Sequence, residues 1–393
     1  MISRKMFFWT KALLICTGLF LTGCSLLPAR EDIPKGDGLL DPYEQAAALG
    51  KGVVFGNLLD SDPEEGAWSE GYLMQESDFD LAVEAGFDSV RIPMRFGSHA
   101  EESSPYTIDA DFLNRAIQVV DWGLERDLRI IVDMHHYLDL IDDPYGHKKR
   151  FCALWRQLAT QFKDYPDTLY YEILNEPNAA LSGDVWNNIM YYCLLAIREI
   201  DNHHTVIIGG SNYSNFTGLE DLIVSKDETN AIVTFHYYAP YLFTMQGKDW
   251  FGPDVATTGI VWPGPPPVPI EADPSLPEDS WVRGWINDYN TDSDVETNPA
   301  GYGMIRWEIA QAAEWGIAHS RPLWMGEFGV HDGADLASRS RWIQFVRGQL
   351  DSHGIPWSYW TLDSDPDTFL YDRESGEWVT ELTGALGLTI SGE

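Results

Sequence analysis

Three observations predict an α/β fold, a (β/α)8 (TIM) barrel built as one domain. Eight short apolar, β-branched runs recur, near 53–57, 89–94, 129–134, 169–174, 205–210, 232–238, 322–329 and 357–363. Helical patterns lie between most of them, at 110–126, 149–163, 185–200, 303–318 and 336–352. Strands alternating with helices at a spacing of about 40 residues build a parallel sheet, and eight such units close it. Third, polar and ionisable residues gather where the runs end, the face on which such a barrel carries its ligand. A doubly wound open sheet is the alternative, but no Gly-x-Gly-x-x-Gly opens a helix, so a dinucleotide fold has little support.

Taken in order, the chain opens with Arg4, Lys5 and Lys11, an apolar stretch over 12–21, and Leu21-Thr22-Gly23-Cys24. A basic segment, a short apolar segment and a small-residue cleavage site make an export signal over 1–23 rather than a spanning helix. Its ending resembles the lipobox of bacterial lipoproteins. That implies cleavage before Cys24 and a lipid anchor on its thiol at the bacterial cell envelope, the outer membrane in a Gram-negative host. An ordinary secretory signal is the alternative. Residues 24–45, rich in Pro, Gly and charge, read as a tether, and 46–390 as the barrel. Cys152 and Cys193 fall on helical patterns and read as buried thiols rather than a bridge.

One interval breaks the rhythm. Residues 239–300, after strand six, are rich in Pro and Trp, and the Trp262-Pro-Gly-Pro-Pro-Pro run cannot be regular helix or strand. Its aromatics, Tyr241, Phe243, Trp250, Phe251 and Trp262, argue for an ordered loop that walls a cleft at the carboxyl ends of the strands.

The net charge is 26 − 61 = −35. Such a chain repels nucleic acid and acidic polysaccharides, whereas a neutral glycan fits. The 16 Trp suit sugar stacking, although most are expected to pack the core.

Two runs deliver carboxylates. LYYEILNEPN at 169–178 ends abruptly in Asn175-Glu176-Pro177, and PLWMGEFGV at 322–330 delivers Glu327 between Gly326 and Gly329. Paired carboxylates at two strand ends suggest glycosidic bond cleavage. The other strand ends supply Asn57 and then Asp60 (strand one), Arg91 (two), His135 and His136 (three), His236 and Tyr238 (six) and Trp360 (eight). His236 and Tyr238, two apart, share a face. No cofactor is expected. No metal is expected at His135-His136 either, because adjacent strand residues point opposite ways. His203-His204 reads as an exposed helix end.

The ordered set VRIPM, DMHHY, ILNEPN, FHYY, MGEFG and SYW resembles glycoside hydrolase family 5, over about 50–388. The segments GNLLDSDPEEGAW and LYDRESGEW resemble its bacterial endoglucanase-type members. The resemblance implies a retaining double displacement with Glu327 as nucleophile and Glu176 as acid/base. Arg91 and Tyr238 would hold Glu327 charged, and Asn175 would donate to the sugar 2-OH. His135 and His236 would line the subsite and support the glutamates, His136 would reach a hydroxyl further out, and Trp360 would form the floor. Asn57, Asp60 and Trp68 would contact sugars on the non-reducing side. The expected protein is an endo-β-1,4-glucanase, a monomer acting on a neutral β-linked glycan. A β-mannanase, a β-1,3-glucanase, an exo-acting β-glucosidase and a non-catalytic glycan-binding surface lipoprotein are the alternatives.

Overall fold

The computed structural model describes residues 38–390, so the export signal, Cys24 and most of the tether lie outside the described residues. The eight strands form one closed parallel barrel in sequence order. They are β1 (Lys51–Val54), β2 (Ser89–Met94), β3 (Arg129–Met134), β4 (Leu169–Glu172), β5 (Val206–Gly209), β6 (Ala231–Tyr237), β7 (Leu323–Phe328) and β8 (Trp357–Trp360). β8 pairs back onto β1 through Lys51 and Trp357.

Strand periodicity of two sorts the side chains into two cores. Val53, Val90, Val132, Tyr171, Ile208, Val233 and Met325 face the helices in the larger one. Ile131, Tyr170, Ile207, Ile232 and Trp324 point inward and fill the amino end of the barrel. A short helix, α1 (Pro42–Leu49), seals that floor with Ala46 and Leu49. Asp41 caps it and Pro42 starts it, so 42–45, read as tether, is the first turn of a helix. Above the floor the lining becomes small: a Cβ on Gly52 would lie 2.2 Å from Ser358 Oγ and 2.6 Å from Ser89 Oγ. That narrow layer supports the charged layer above it.

The outer ring is α2 (Glu76–Glu84), α3 (Ala110–Leu124), α4 (Leu138–Asp142), α5 (Pro144–Phe162) and α6 (Gly183–Arg198), then α7 (Tyr241–Thr244), α8 (Trp281–Thr291), α9 (Tyr302–His319) and α10 (Leu336–His353). A two-stranded hairpin, β9 (Tyr371–Asp372) with β10 (Glu377–Trp378), and α11 (Thr380–Ala385) follow β8. Side-chain caps at Asp109, Asp143 and Asp335 start α3, α5 and α10. Only a 3-10 turn, Phe216–Leu219, follows β5.

Several Trp do structural work at strand ends. The buried indoles of Trp155, Trp186 and Trp342 donate to the carbonyls of Ile173 (2.9 Å), Gly209 (2.9 Å) and Ala239 (3.1 Å). Each helix thereby ties down a carbonyl just where its strand ladder runs out. Cys152 and Cys193 are free and buried. His204, read as exposed, is buried instead, with Nδ1 2.6 Å from Asp201 Oδ2.

The 239–300 insertion is ordered, and it divides. Trp262 is buried against Tyr302 (centroids 5.0 Å apart) and Phe345 (5.6 Å), so that half clothes the outside of α9 and α10 rather than walling a cleft. Tyr241, Trp250 and Phe251 stay exposed on the carboxyl-end side.

Candidate active site

Arg91 is the centre of the charged layer. Its side chain is wholly buried, and its planar guanidinium reaches four partners. Nε and Nη2 fork onto Glu172 at 2.6 and 3.0 Å. Nη2 also meets Asp133 at 2.8 Å and Asn175 Oδ1 at 2.8 Å, and Nη1 meets Glu327 Oε1 at 2.6 Å. A fixed fork of donors suits this task as an ammonium would not. Because arginine only donates, the Asn175 amide oxygen must face it, which turns the Asn175 NH2 toward the cleft.

One cation serves three carboxylates here. Burial, the largest cause, outweighs Arg91 and raises both Asp133, to about 7, and Glu172. Asp133 in turn takes His135 Nδ1 at 3.0 Å. Burial and the Arg91 charge hold His135 well below the usual imidazole range, so it is neutral with Nε2 as its acceptor.

Glu176 and Glu327 meet above this layer. One oxygen of each and an imidazole nitrogen of His236 all lie within 4.8 Å of one another. His236 Nδ1 is 2.8 Å from Glu176 Oε1 and 3.6 Å from Glu327 Oε2. Tyr238 donates its hydroxyl to Glu327 Oε2 at 3.0 Å. Burial pushes both carboxyls up to about 7. Their neighbours separate them. Glu327 has Arg91, Tyr238 and His236 favouring its ionised form, whereas Glu176 also feels the Glu172 and Asp133 carboxylates. These neighbours favour a shared proton on Glu176 over one on Glu327. Glu176 sits at φ 46°, a left-handed conformation that L residues rarely adopt.

On the β8–β1–β3 side, the Trp360 indole lies over Gly56, where a Cβ would be 2.3 Å from the ring, and Nε1 donates to Asp365 Oδ2 at 3.0 Å. The His135 ring lies nearly parallel to it, 6.3 Å away. His136 departs from the expected alternation. β3 ends at Met134, His136 takes φ 49°, and its ring meets His135 edge-on at 4.4 Å and Trp68 at 5.4 Å. One ligand-type atom from each of Asp60, His135 and His136 therefore falls within 4.8 Å, a grouping that strand alternation alone did not allow. Asn57 (φ 61°) and buried Asp60 line the same side, with Asp60 Oδ1 accepting from Leu58 N–H at 2.9 Å.

The structure thus brings every predicted cleft residue to one face. Sequence reading missed Asp133 and Glu172. Their signal was present: a carboxylate inside an apolar strand run needs a buried cation, and Arg91 lies inside a neighbouring run.

A family model described as cellulase (glycosyl hydrolase family 5) matches residues 49–366. The chain is 30% identical over 351 residues to Endoglucanase H of Acetivibrio thermocellus; the match covers 88% of this chain but 34% of that longer protein. Endoglucanase C of the same organism is 29% identical over 325 residues, covering 79% of this chain and 90% of the relative. An endoglucanase structure from Thermotoga maritima superposes with a TM-score of 0.74 at 35% identity, covering 88% of this chain and 100% of that one. That enzyme is also known in complex with cellobiose and with mannotriose. A hyperthermophilic endo-beta-1,4-glucanase in complex with substrate gives a TM-score of 0.76 at 33% identity, covering 88% and 99%.

Proposed function

The chain belongs to glycosyl hydrolase family 5, and we propose that it is a retaining endo-β-1,4-glucanase with Glu327 as nucleophile and Glu176 as acid/base. The observation that carries this is the close carboxylate pair, with oxygens within 4.8 Å and unlike neighbours. Inverting enzymes hold their carboxyls roughly 6.5–9.5 Å apart to admit a water between; retaining ones hold them about 5–5.5 Å apart.

The reaction follows from the partners. A sugar ring rests on Trp360. Glu327, held ionised by Arg91 and Tyr238, attacks the anomeric carbon while Glu176 gives its proton to the departing oxygen. The Asn175 NH2 donates to the 2-OH, a bond that strengthens as positive charge develops on the ring. Glu176, now ionised beside His236, then takes a proton from water, which opens the glycosyl ester with a second inversion. Two inversions give net retention. Neutral His135 accepts a sugar hydroxyl on the glycone side.

Cellulose-type β-1,4-glucan is the favoured substrate because the named relatives are endoglucanases. A β-mannan is the second reading, favoured by the mannotriose complex of the Thermotoga maritima relative. The test is product analysis on neutral β-glucans, mannan and laminarin with wild type, Glu176→Gln and Glu327→Gln. Mixed-length products with first-formed β anomers are expected, and both variants should fall by several orders of magnitude. First-formed α anomers would overturn the retaining mechanism; glycan binding without cleavage would favour a binding protein.

We also propose that lipid on Cys24 holds the enzyme at the cell envelope. The basic start, the apolar 12–21 stretch and Leu21-Thr22-Gly23-Cys24 support this. Metabolic palmitate labelling should mark the wild type and not Cys24→Ser; labelling of neither would remove the anchor.

A further inference from the structure

The ring order of the barrel divides the cleft. Glu176 follows β4 and Glu327 lies at the carboxyl end of β7, so one arc is β8, β1, β2 and β3 and the other is β5 and β6. The first arc carries Asn57, Asp60, Trp68, His135 and Trp360, the glycone side. The second arc receives the leaving group, and exposed aromatic side chains crowd onto it.

Trp250 (62% exposed), Phe251 (44%) and Tyr241 (38%) form a run, with centroids 5.9 Å apart for the first pair and 5.7 Å for the second, the latter nearly parallel. Asn215 continues it, its Nδ2 donating to the Tyr241 hydroxyl at 3.3 Å. The next residue, Phe216, packs edge-on to Trp307 of α9 with centroids 6.0 Å apart, and Trp307 is 57% exposed. The run is joined to the reacting site through the backbone. Asn215 bridges to His236 in the sheet, and His236 holds Glu176. Exposed polar groups flank it: Asn212 donates to Thr217 Oγ1 at 2.8 Å, and that hydroxyl donates to Asn215 Oδ1 at 2.9 Å.

Isolated exposed aromatics need no explanation, but a connected run bordered by hydrogen-bonding groups marks a binding surface. Its continuity with the cleft says what covers it. Pyranose rings present apolar C–H faces that lie flat on aromatic rings, and their hydroxyls take Asn and Thr. The charge of −35 disfavours an anionic occupant.

We propose that this run, from Trp250 through Tyr241 and Asn215 to Phe216 and Trp307, is a second glycan-binding surface. It takes the reducing-side length of a β-glucan chain as that chain leaves the cleft and passes over the rim onto α9. The proposal rests on the endoglucanase reading and extends it beyond the reacting subsites.

The test uses the full chain with Trp307→Ala and Trp307→Tyr. Each is assayed on a neutral glucan polymer and on an aryl β-cellobioside, which is too short to reach α9, and each is run by affinity electrophoresis through a glucan gel. For Trp307→Ala the polymer KM should rise several-fold more than the aryl-glycoside KM, with weaker gel retardation and the melting temperature of wild type. Trp307→Tyr keeps an aromatic face and should recover most of the polymer affinity. Wild-type polymer KM and retardation in Trp307→Ala, equal losses on both substrates, or a wild type that the gel does not retard would each overturn the surface. A wild type that is retarded yet cleaves neither substrate would instead sink the endoglucanase reading, while retardation of Trp307→Ala would still decide the surface.

Discussion

Tyr238 bears on the charge of Glu327 more directly than any packing contact does. Attack requires Glu327 ionised, and the Tyr238 hydroxyl at 3.0 Å stabilises that form against burial. Tyr238→Phe keeps the ring and removes the donor. The proton affinity of Glu327 then rises, so the acid limb of kcat/KM should move to higher pH. A lost hydrogen bond to a charged group is worth about 1.5–3 kcal/mol, roughly 10- to 100-fold in rate. A pH–rate profile on an aryl β-cellobioside checks this; an unmoved acid limb would mean the hydroxyl does not serve the ionised form. Asp60 carries a different charge problem. Its Oδ2 has no hydrogen-bond partner, and burial pushes the carboxyl up to about 7 from an ordinary 3.8. A raised folded value favours the protonated form, so its contribution to stability is present below about pH 4 and lost as pH climbs through about 7. Asp60→Asn stays neutral throughout. Its melting temperature relative to wild type should therefore improve between pH 5 and pH 8, and a pH-independent difference would refute this. Glu176, Glu327 and Arg91 were legible because each ends or interrupts an apolar run. The meeting of His135 with His136 was not, since it depends on a φ of 49° that no residue-type pattern announces.

At the scale of elements, the strands were the clearest part of the sequence. A parallel barrel buries both faces of every strand, so each reads as an unbroken apolar run. The helix α1 was not legible, because Asp-Pro at its start has the composition of a tether and only the floor residues Ile131, Tyr170 and Trp324 make Ala46 and Leu49 useful. The insertion after β6 shows the same limit. Aromatic density predicted order but not that Trp262 and Trp250 would part, one into the core and one to the rim. What holds the rim half is Lys248. Its Nζ lies 2.6 Å from Asp332, in the loop after β7, and 2.8 Å from Asp367, in the loop after β8. Asp367 donates its own N–H to Asp365, which holds the Trp360 indole. One ammonium thus joins the insertion to the loop that positions the sugar platform. Lys248→Met should accelerate amide exchange across 247–256 and raise KM, while exchange in β1–β8 stays slow. Unchanged exchange across that segment would show that packing alone, such as Trp250 against His331 at 5.2 Å, holds the loop.

For the whole molecule the governing quantity is the charge of −35, which no single site explains. It acts at a distance and so on the approach of substrate rather than on bond cleavage. A neutral β-glucan feels none of it. Carboxymethyl-cellulose, a polyanion with the same backbone, is repelled over a Debye length, about 30 Å at 0.01 M salt and about 10 Å at 0.1 M. The two polymers therefore separate long-range charge from the chemistry of the cleft. Raising salt from about 10 mM to about 200 mM should lower KM on carboxymethyl-cellulose several-fold and leave KM on neutral mixed-linkage glucan nearly unmoved. The kcat values should respond alike, because the buried Arg91–Glu327 pair at 2.6 Å is poorly screened by salt. If both KM values shifted together, salt would be acting on the fold or on the cleft itself. If neither moved, the negative charge would be spread away from the cleft mouth, and the preference for a neutral chain would rest wholly on the contacts made by Trp360, Asn175 and His135.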